Sequence, residues 1–536
     1  MGRHGFEQVC LNRYVYCDEP KLAMPLAVFG GEMDMSVSED DLGAWIQQTQ
    51  GSDQSFSMQL FSGGQHFYTE SHRDELLLTL QERLGDACAR QPVSVLGGAV
   101  IDWPQLRDGG MCVHEMIAAA AAVAPAAKVA VSDIERSLTF EQMMDEARLL
   151  ACVMQMQGVS ASAPFVAVHM PHSVDWLVAC LATLLAGGAV FPLDTNLARD
   201  HVEQIVESAG VTTVATVSAF VDNLPSSYHA DDKHIVIDAG WQPAMRDKAA
   251  GTELKSYDTA DKLDRVAFVA HSSGSTAQPK AIIVPHRAAT ACWLARYELY
   301  PYSSDEVEGL NIFFAWECLR AIAVGQSAFV LPDAAMIDTK RVAALISEHK
   351  VSRIMITPSL MGNILSHPNL DVAAALGSLK IIFLKGEVVL APLVVAFAAR
   401  LPGVQLVNCY STWESEDVCY SNLTVSSVRN CKFAPAGNVM PNVKVHIVDK
   451  NMQPTMCGVP GEIIITSPAL ALGYLNDDER TNEKFVASEK LADGNVLADT
   501  NVRVYRTGDQ GRLRSDGQLE VMGRRGLEIK IRGFKV

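Results

Sequence analysis

The sequence is short of positive charge. Its 44 lysines and arginines are outnumbered by 62 aspartates and glutamates, which gives the 536 residues a formal net charge of -18 at pH 7. A nucleic-acid partner requires a basic surface, so this balance predicts no nucleic-acid partner. An acidic net charge is also the usual solubility reserve of a cytosolic enzyme.

Paired cysteines are missing as well. The 12 cysteines are scattered singly and form no CxxC pair, a pattern that favours neither a zinc site nor a disulfide framework and that fits a reducing compartment. The first ten residues, MGRHGFEQVC, lack the apolar stretch of a signal peptide. We therefore expect a cytoplasmic protein.

Long hydrophobic runs are scarce. The segment WLVACLATLLAGGAVFPL (176–193) carries no charge but reaches only the lower length limit of a membrane span. It contains Gly187, Gly188 and Pro192, which favour a buried helix that ends at the glycine pair and is followed by a strand. We expect no membrane partner.

Apolar runs alternate with helical segments for some four hundred residues after residue 112. The segments VAFVAH (266–271), RIMITP (353–358), KIIFLKG (380–386) and VQLVNCY (404–410) are short, mainly apolar runs that are followed by polar or glycine turns. Such runs are typical of strands buried on both faces of a largely parallel sheet, so the fold class is α/β. Ligands bind at the carboxyl ends of such strands.

One of those strands leads into a loop suited to phosphate. HSSGSTAQPK (271–280) places a glycine among hydroxyl side chains and ends in a lysine. Glycine lets the backbone turn tightly, while exposed amides, hydroxyls and the Lys280 ammonium can surround phosphate oxygens. The string does not follow the Walker pattern GxxxxGK[ST].

The loop resembles the phosphate-loop motif of the adenylate-forming (AMP-binding) superfamily, and six further elements resemble that family's motifs in the same order. They are SLTFEQM (137–143), LLAGGAVFPLD (184–194), NCYSTWE (408–414), GVPGEIIITSPALALGYLNDDERTNEKF (458–485), YRTGDQGRL (505–513) and GRRGLEIKIRGFKV (523–536). Within the superfamily, the adenylation domains of nonribosomal peptide synthetases are the most similar. The resemblance covers about 112–536.

The resemblance implies a body of two α/β subdomains with largely parallel sheets and a small β-rich subdomain, over 112–522. Residues 523–536 would form the hinge and the start of a C-terminal subdomain, whose remainder, including a catalytic lysine, is missing from this sequence. From this we expect a chain that binds nucleotide better than it adenylates and that is part of a longer polypeptide.

The chemistry implied is attack of a carboxylate on the α-phosphate of ATP, followed by acyl transfer to a phosphopantetheine on a carrier domain outside this chain. Little covalent chemistry is required of the protein beyond positioning and charge stabilisation. The resemblance assigns Ser272, Ser273, Gly274, Ser275, Thr276 and Lys280 to pyrophosphate, Glu414 to Mg²⁺, Asn408 and Tyr410 to the adenine and substrate end, Asp509 to the ribose and Arg524 to ribose or phosphate. Lys280, Glu414 and Thr276 would be catalytic.

The sequence departs from the family pattern at several positions. Ala277 and Ala281 stand where glycine is usual in the phosphate loop, and either would be strained at a positive φ. Trp413 replaces a small hydroxyl residue, and Gly526 replaces an aspartate at the hinge.

The acyl pocket departs further. The segment 309–326 aligns Ile312 with the aspartate that pairs with the α-ammonium of an amino acid. An ammonium buried without a carboxylate partner is costly, so an ordinary amino acid is disfavoured unless Asp417 compensates; Asp417 could instead pair with Lys385. The remaining candidate lining comprises Phe313, Trp316, Met355, Phe383, Cys409 and Val418. It favours an apolar or aromatic acid without an α-amine, such as an aryl, keto or hydroxy acid.

Residues 1–88 resemble the C-terminal part of an α/β-hydrolase thioesterase, and residues 89–111 are predicted as a linker. GGEMD (30–34) and GGQHF (63–67) place Asp34 and His66 in the order of a triad acid and base. The nucleophile elbow GxSxG is absent from the chain, so no complete triad is expected.

Two alternatives to a synthetase module remain open. One is a free-standing acyl-CoA synthetase, against which the thioesterase-like region argues. The other is a degenerate nucleotide-binding unit without catalysis, suggested by the altered loop and the missing subdomain.

Overall fold

The computed structural model describes residues 26–31, 56–62, 72, 76, 94–107, 109–229, 233–257, 261–272, 280–304, 306–311, 317–429, 431–487, 503–524, 530–531 and 534–535. The chain divides into two compact units, Met1–Pro92 and Val93–Val536.

The described strands, in chain order, are β1 (Leu26–Gly31), β2 (Phe56–Phe61), β3 (Val95–Gly97), β4 (Val129–Ser132), β5 (Ser137–Thr139), β6 (Phe165–His169), β7 (Ala189–Pro192), β8 (Thr213–Thr216), β9 (His234–Val236), β10 (Val266–Ser272), β11 (Lys280–Pro285), β12 (Val307–Leu310), β13 (Ser327–Val330), β14 (Arg353–Ile356), β15 (Ile381–Lys385), β16 (Gln405–Thr412), β17 (Glu416–Leu423), β18 (Asn438–Val439), β19 (Lys444–Val448), β20 (Gly461–Thr466), β21 (Gly473–Tyr474), β22 (Phe485–Ala487), β23 (Arg503–Leu513), β24 (Leu519–Arg524), β25 (Lys530–Ile531) and β26 (Phe534–Lys535).

The described α-helices are α1 (Val113–Val123), α2 (Phe140–Met156), α3 (Val174–Leu185), α4 (Arg199–Ala209), α5 (Gln242–Lys248), α6 (His286–Leu299), α7 (Thr339–Glu348), α8 (Pro358–Ser366), α9 (Val372–Ala375), α10 (Ala391–Arg400) and α11 (Asp478–Lys484).

The smaller unit contains a parallel pair of strands. β1 pairs with β2 in a register that runs from Leu26 opposite Phe56 to Gly31 opposite Phe61. Both strands lie in the region whose sequence resembles a thioesterase. Asp34 and His66 lie outside the described residues.

The larger unit contains a seven-stranded sheet with the order β21-β11-β10-β7-β6-β8-β9. The five strands from β10 to β9 are parallel, and β11 joins antiparallel to both β10 and β21. The run VAFVAH was predicted as a buried strand, and β10 confirms it.

A nine-stranded sheet has the order β18-β17-β16-β15-β14-β12-β13-β4-β5. Its six central strands, from β16 to β4, are parallel, and antiparallel strands flank them. The runs predicted at 353–358, 380–386 and 404–410 form β14, β15 and β16, so the prediction of a largely parallel sheet is confirmed.

The third sheet is antiparallel, with the order β22-β23-β20-β19-β3 and with β24 paired to β23. Its edge strand β3 lies within the predicted linker 89–111, and Gly97 pairs with Lys444. This corrects the linker prediction for the described residues, because the ladder hydrogen bonds and a buried Ser94 make this part of the chain an integral edge of the sheet.

The uncharged segment at 176–193 forms most of α3, a glycine turn and β7, as predicted. Gly187 has a φ of +82°, and a Cβ on Gly188 would lie 2.8 Å from the carbonyl oxygen of Pro164, so both glycines are required where the helix meets the sheet. None of the described helices has the length and apolar character needed to cross a membrane.

One family-like motif has a local physical cause. In SLTFEQM, Thr139 caps α2: its hydroxyl accepts from the Gln142 amide at 3.3 Å, and the Gln142 side chain accepts from the Thr139 amide at 2.9 Å. This reciprocal capping box satisfies two amide groups at the helix start and fixes where α2 begins.

Candidate functional site

The predicted phosphate loop joins two antiparallel strands. β10 ends at Ser272 and β11 begins at Lys280, and these two residues are partners in the ladder. The Lys280 side chain is half-buried. The loop residues Ser273, Gly274, Ser275 and Thr276 lie outside the described part of the chain, as does the side chain of Ser272.

Ala281 fits its position without strain. It lies in β11 opposite His271, and it is not among the described residues with a positive φ. Strand backbone accepts any side chain with a Cβ, so replacement of the family's glycine has no conformational cost at this position. The prediction of backbone strain is therefore wrong for Ala281. Ala277 lies outside the described residues.

Glu414 is held where three sheets meet. It lies in the turn between β16 and β17 and is 8% exposed. Its Oε1 accepts a hydrogen bond of 2.7 Å from the hydroxyl of Tyr474 on β21, and its carbonyl oxygen accepts one of 2.8 Å from the Ala471 amide. The pKa of Tyr505 on β23 is raised, chiefly by burial and then by the charge of Glu414.

This carboxylate suits a phosphate-bound magnesium ion. In the part of the chain that the structure describes, no lysine or arginine forms an ion pair with Glu414, and its side-chain partners are uncharged phenols. The charge of Glu414 contributes to the raised pKa of Arg524, but that guanidinium is ion-paired with Asp509, so a metal ion bound at Glu414 would still offset the cost of burying this carboxylate. The described residues contain no cluster of three protein ligands for a metal, and Mg²⁺ bound to nucleotide phosphates needs only one or two protein carboxylates.

Three other predicted residues form one hydrogen-bonded group. The Asp509 carboxylate accepts from the Tyr410 hydroxyl at Oδ2 and from the Arg524 Nε at Oδ1, each at 2.8 Å. Burial and the neighbouring Asp509 raise the pKa of Tyr410, so its phenol stays a donor. Burial alone would lower the pKa of the Arg524 guanidinium, but the charge of Asp509 has the larger effect and the pKa is raised.

Strand geometry connects the Asp509 group with Glu414. Tyr505 and Asp509 both lie on β23, and the charge of Asp509 adds to the effects of burial and of Glu414 that raise the pKa of Tyr505. β11, which begins at Lys280, pairs with β21 through Ile282 and Tyr474. The structure thus joins Tyr410, Asp509 and Arg524 by hydrogen bonds, while Glu414 contacts Tyr474 on the strand that pairs with the Lys280 strand.

Asn408 is engaged by the protein itself. It lies on β16, is 7% exposed, and its Nδ2 donates to the carbonyl oxygen of Pro435 at 2.8 Å. This contact fixes the segment that follows β17 against the strand carrying Tyr410.

The predicted acyl-pocket residues Lys385 and Asp417 form an ion pair. The Lys385 Nζ donates to Oδ1 of Asp417 at 2.7 Å, and both side chains are buried. Lys385 also donates to Oε1 of Glu317 at 3.0 Å. Of the two roles left open for Asp417, pairing with Lys385 is the one that the structure shows.

Asp417 is surrounded by further donors. Arg296 and the Tyr420 hydroxyl both bond Oδ2, and the Cys292 and Cys409 thiols lie 3.5 and 3.2 Å from its two oxygens. Burial alone would raise the pKa of Asp417, but Arg296 and Lys385 lower it well below its usual range. The carboxylate is fully satisfied without a ligand.

Six charged side chains form what we call the buried ion network: Arg296, Arg320, Lys385, Glu308, Glu317 and Asp417. Arg296 donates to both oxygens of Glu317 at 3.0 and 3.1 Å, while Arg320 pairs with Glu308 and Glu317. Three cations face three carboxylates, so the network is internally neutral, as buried charges require. A cavity of about 20 Å³ beside it, lined in part by Asn311, Glu317, Arg320 and Met355, has room for about one water molecule.

The other predicted lining residues are placed unevenly. Phe383, Cys409 and Val418 are buried and Met355 is half-buried, whereas Ile312, Phe313 and Trp316 lie outside the described residues. The guanidinium of Arg296 lies 5.3 and 5.4 Å from the ring centres of Phe383 and Tyr420, so a protein cation contacts the ring of the predicted lining residue Phe383.

Sequence reasoning missed Arg296, Glu308, Glu317, Arg320 and Tyr474. A signal was present for several of them, because Arg296 stands in ACWLARY (291–297) and Glu308 in VEGL (307–310) with mainly apolar neighbours. A charged residue inside such a segment is rarely buried without a partner. The sequence did not show which partners these were.

Comparison with protein-family models matches residues 117–475 to AMP-binding enzymes, which is more than half of the chain. This chain belongs to the AMP-binding enzyme family. The family predicted from the order of the motifs is therefore confirmed.

Two curated proteins similar to this AMP-binding chain are much longer than it. Glycine betaine reductase ATRR of Emericella nidulans is 30% identical over 409 residues, which cover 76% of this chain and 31% of that protein. A dimodular nonribosomal peptide synthase of Bacillus subtilis is 28% identical over 451 residues, which cover 82% and 18%. The chain spans less than a third of the length of these curated relatives.

Among solved structures, the AMPPNP-bound form of the nonribosomal peptide synthetase FmoA3 superposes with a TM-score of 0.68 at 25% identity, covering 80% of this chain and 43% of that one. The body of this AMP-binding protein, with its two parallel-centred sheets and its antiparallel sheet, therefore has the fold of a synthetase adenylation domain, as predicted.

Proposed function

We propose that this chain uses ATP to activate a carboxylic acid as an acyl-adenylate, within a larger enzyme similar to nonribosomal peptide synthetases. The observation that carries the proposal is the buried Glu414 carboxylate, which forms no ion pair within the described residues. Its hydrogen-bond partner Tyr474 lies on β21, which pairs with β11, the strand that follows the predicted phosphate loop. Together with family membership, this arrangement supports metal-assisted binding of a nucleotide polyphosphate.

In the proposed reaction a carboxylate oxygen of the acid attacks the α-phosphorus of ATP, and the bond to the bridging oxygen breaks to release pyrophosphate. Lys280, Ser272, Ser273, Gly274, Ser275 and Thr276 bind the leaving pyrophosphate. Glu414 holds Mg²⁺, which when bound would neutralise phosphate charge. The contribution of these residues is to position charges for the transition state rather than to react.

The ribose end follows from the Asp509 group. We assign the Asp509 carboxylate to the ribose hydroxyls, since two oxygens can accept from two neighbouring hydroxyl donors. Tyr410 and Arg524 already donate to this carboxylate, so they orient it before nucleotide arrives. Asn408, through Pro435, holds the adjacent strand in place.

A carrier domain accepts the activated acyl group in this proposal. The thiol of a phosphopantetheine on a carrier domain attacks the acyl carbon, a thioester forms and AMP leaves. The AMP-bound acid and the thiol must reach the same carboxyl edge of the sheets. Synthetase-like relatives support a carrier partner in preference to free coenzyme A.

The acid is proposed to lack a primary α-ammonium group. Ile312 replaces the family's aspartate, and Asp417 is fully occupied by Lys385 and Arg296. An ammonium with three N–H donors would therefore be buried without a free carboxylate, at a cost of several kcal/mol. An aryl, keto or hydroxy acid avoids this cost.

A quaternary ammonium acid is a second candidate, because it has no N–H donor to satisfy. The name of the similar Emericella protein includes glycine betaine, which is an acid of this kind. The internally neutral ion network is compatible with such a substrate, because that substrate requires no hydrogen-bonding counter-ion.

For the smaller unit we propose an origin in an α/β-hydrolase thioesterase. β1 and β2 are parallel, and in sequence Asp34 follows β1 by three residues and His66 follows β2 by five. Acid and base of a hydrolase triad follow adjacent parallel strands in this order. A serine hydrolase probe that labelled this chain would contradict the proposal that no complete triad is present.

ATP binding and pyrophosphate exchange test the main proposal. We expect ATP to bind in the presence of Mg²⁺ and Lys280→Ala to weaken binding about 10- to 100-fold, as for loss of a charged hydrogen bond. The exposed Lys450 provides the matched control, Lys450→Ala. Equal ATP affinity in Lys280→Ala and wild type would contradict the loop assignment.

Exchange across a panel of acids separates the alternatives. The panel pairs amino acids with their keto and hydroxy analogues and includes glycine betaine. Exchange confined to acids without N–H donors supports the proposal, whereas exchange with ordinary amino acids contradicts the pocket assignment. ATP binding without exchange for any acid supports the degenerate unit, and efficient transfer to free coenzyme A supports an acyl-CoA synthetase.

A further inference from the structure

Tyr474 reaches the Glu414 carboxylate from a different sheet. The phenol lies on β21 in the seven-stranded sheet, whereas Glu414 follows β16 in the nine-stranded sheet, and the two sheets are joined here by the 2.7 Å hydrogen bond to Oε1. The two residues are 60 positions apart in the sequence. We propose that Tyr474 is a positioning residue for metal binding by Glu414, an inference that rests on the proposed function.

Tyr474 is itself firmly fixed. Its amide donates to the Thr481 hydroxyl at 3.0 Å, and Ile282 is its partner in the ladder. Gly473 before it has a φ of +149°, and a Cβ there would lie 2.5 Å from Cγ2 of Thr481. The ring packs edge-on against Phe485. The phenol therefore has little freedom to leave the carboxylate.

The main chain supports the same contact. The Ala471 amide donates to the Glu414 carbonyl oxygen at 2.8 Å, so the segment 471–474 binds both the backbone and the side chain of Glu414.

Uncharged donors are the right chemistry for this task. A lysine or arginine at this position would neutralise the carboxylate and compete with a metal ion for it. A phenol fixes the orientation of the carboxylate and leaves its negative charge for the cation. Partners that orient a metal ligand in this way commonly contribute about 10- to 100-fold to metal affinity.

The test compares the affinity of the full chain for ATP with Mg²⁺ and with EDTA, by calorimetry. The ratio of the two dissociation constants is the Mg²⁺-dependent gain. For Tyr474→Phe we expect this gain to fall about tenfold, while the affinity in EDTA is unchanged. The matched control is Tyr228→Phe, which removes another buried phenol bond, 2.6 Å to the Val211 carbonyl oxygen, and should leave the gain unaltered.

A double-variant cycle asks whether Tyr474 acts through Glu414. Glu414→Gln should abolish most of the gain, and adding Tyr474→Phe should then change nothing more. A gain equal to wild type in Tyr474→Phe, or additive effects in the double variant, would overturn the positioning role. If Glu414→Gln itself kept the full gain, the metal assignment of the proposed function would fail instead.

Tyr505 provides a second variant on the third sheet. If thermal melting shows that Tyr474→Phe does not fold, Tyr505→Phe removes the other phenol beside Glu414 and is measured in the same way. A reduced Mg²⁺-dependent gain in Tyr505→Phe supports orientation of Glu414 by phenols, and an unchanged gain overturns it.

Discussion

Lys385 and Asp417 are joined across the strand that lies between their own strands. β16 separates β15 from β17, and Cys409 on β16 is the ladder partner of Lys385 while its thiol lies 3.2 Å from Asp417. The ion pair therefore joins three adjacent strands at the proposed acyl pocket.

Removing the lysine should destabilise the fold. Lys385→Met leaves Asp417 and Glu317 buried with one cation fewer, and loss of one partner of a buried pair costs about 3–5 kcal/mol. Urea unfolding should show a loss of this size, against less than about 0.5 kcal/mol for the exposed control Lys450→Met. Equal midpoints for the two variants would contradict the network.

The same pair should make stability depend on acidic pH. The pKa of Asp417 is well below its usual range in the folded protein, so its contribution is complete above about pH 5, where the unfolded side chain is also ionised. Below that, the unfolded state takes up a proton that the native state does not, and stability is lost. Asp417→Asn should start less stable at about pH 7 but lose less between about pH 5 and 3. Parallel urea profiles for the two proteins would refute this.

The buried His446 should cause a further loss of folding stability at milder acidity. Burial and then Lys444 lower the pKa of His446 from 6.5 to about 4. The unfolded histidine is protonated first as pH falls through about 6.5, so stability decreases by up to about 3 kcal/mol between about pH 6.5 and 4. His446→Gln should flatten this part of the profile, whereas His201→Gln, on the exposed face of α4, should not.

The Asp509 group should control nucleotide affinity. Asp509→Asn removes the charge proposed to accept the ribose hydroxyls and should weaken ATP binding about 10- to 100-fold. The nearby Asp516→Asn, which alters an exposed turn carboxylate paired with Arg514, should bind ATP as wild type does. The two ATP affinities can be measured by calorimetry, and similar values for the two variants would count against ribose binding by Asp509.

Replacement of Gly437, which lies against the main chain of Tyr420, should destabilise the fold. Gly437 has a φ of +100°, and a Cβ would lie 2.0 Å from the Tyr420 carbonyl oxygen. Because backbone would have to move, Gly437→Ala should cost about 3 kcal/mol or more. Gly517→Ala shares a positive φ but has open space, so only the conformational cost of about 1–2 kcal/mol applies. Thermal melting should rank the two variants in this order.

The parallel-centred sheets could be predicted from the sequence because their evidence is local. Each of the runs at 266–271, 353–358, 380–386 and 404–410 is mainly apolar on both strand faces, as is typical of strands buried on both sides. The SLTFEQM element likewise contains its own helix cap. The order of the motifs then predicted the AMP-binding family.

The ion network could not be predicted, because its contacts are distant in the sequence. Arg296 and Asp417 are 121 residues apart, and Lys385 and Glu317 are 68 apart. No periodicity links such residues, so Asp417 could be assigned two opposite roles until its neighbours were known. Ala281 failed as a prediction for a related reason, since a family's glycine indicates strain only if the backbone there has a positive φ.

The junction at Glu414 limits how such domains can be recombined. The carboxylate, the Tyr474 hydroxyl and the Tyr505 hydroxyl come from three separate sheets, and the acyl-pocket strands β12 to β17 carry only the first. A transplant of those strands from a different adenylation domain, made to change the acid, would keep the proposed metal ligand in register only if the recipient presents the same two phenols. Compatibility of a transplant is therefore decided at positions 474 and 505, outside the exchanged segment.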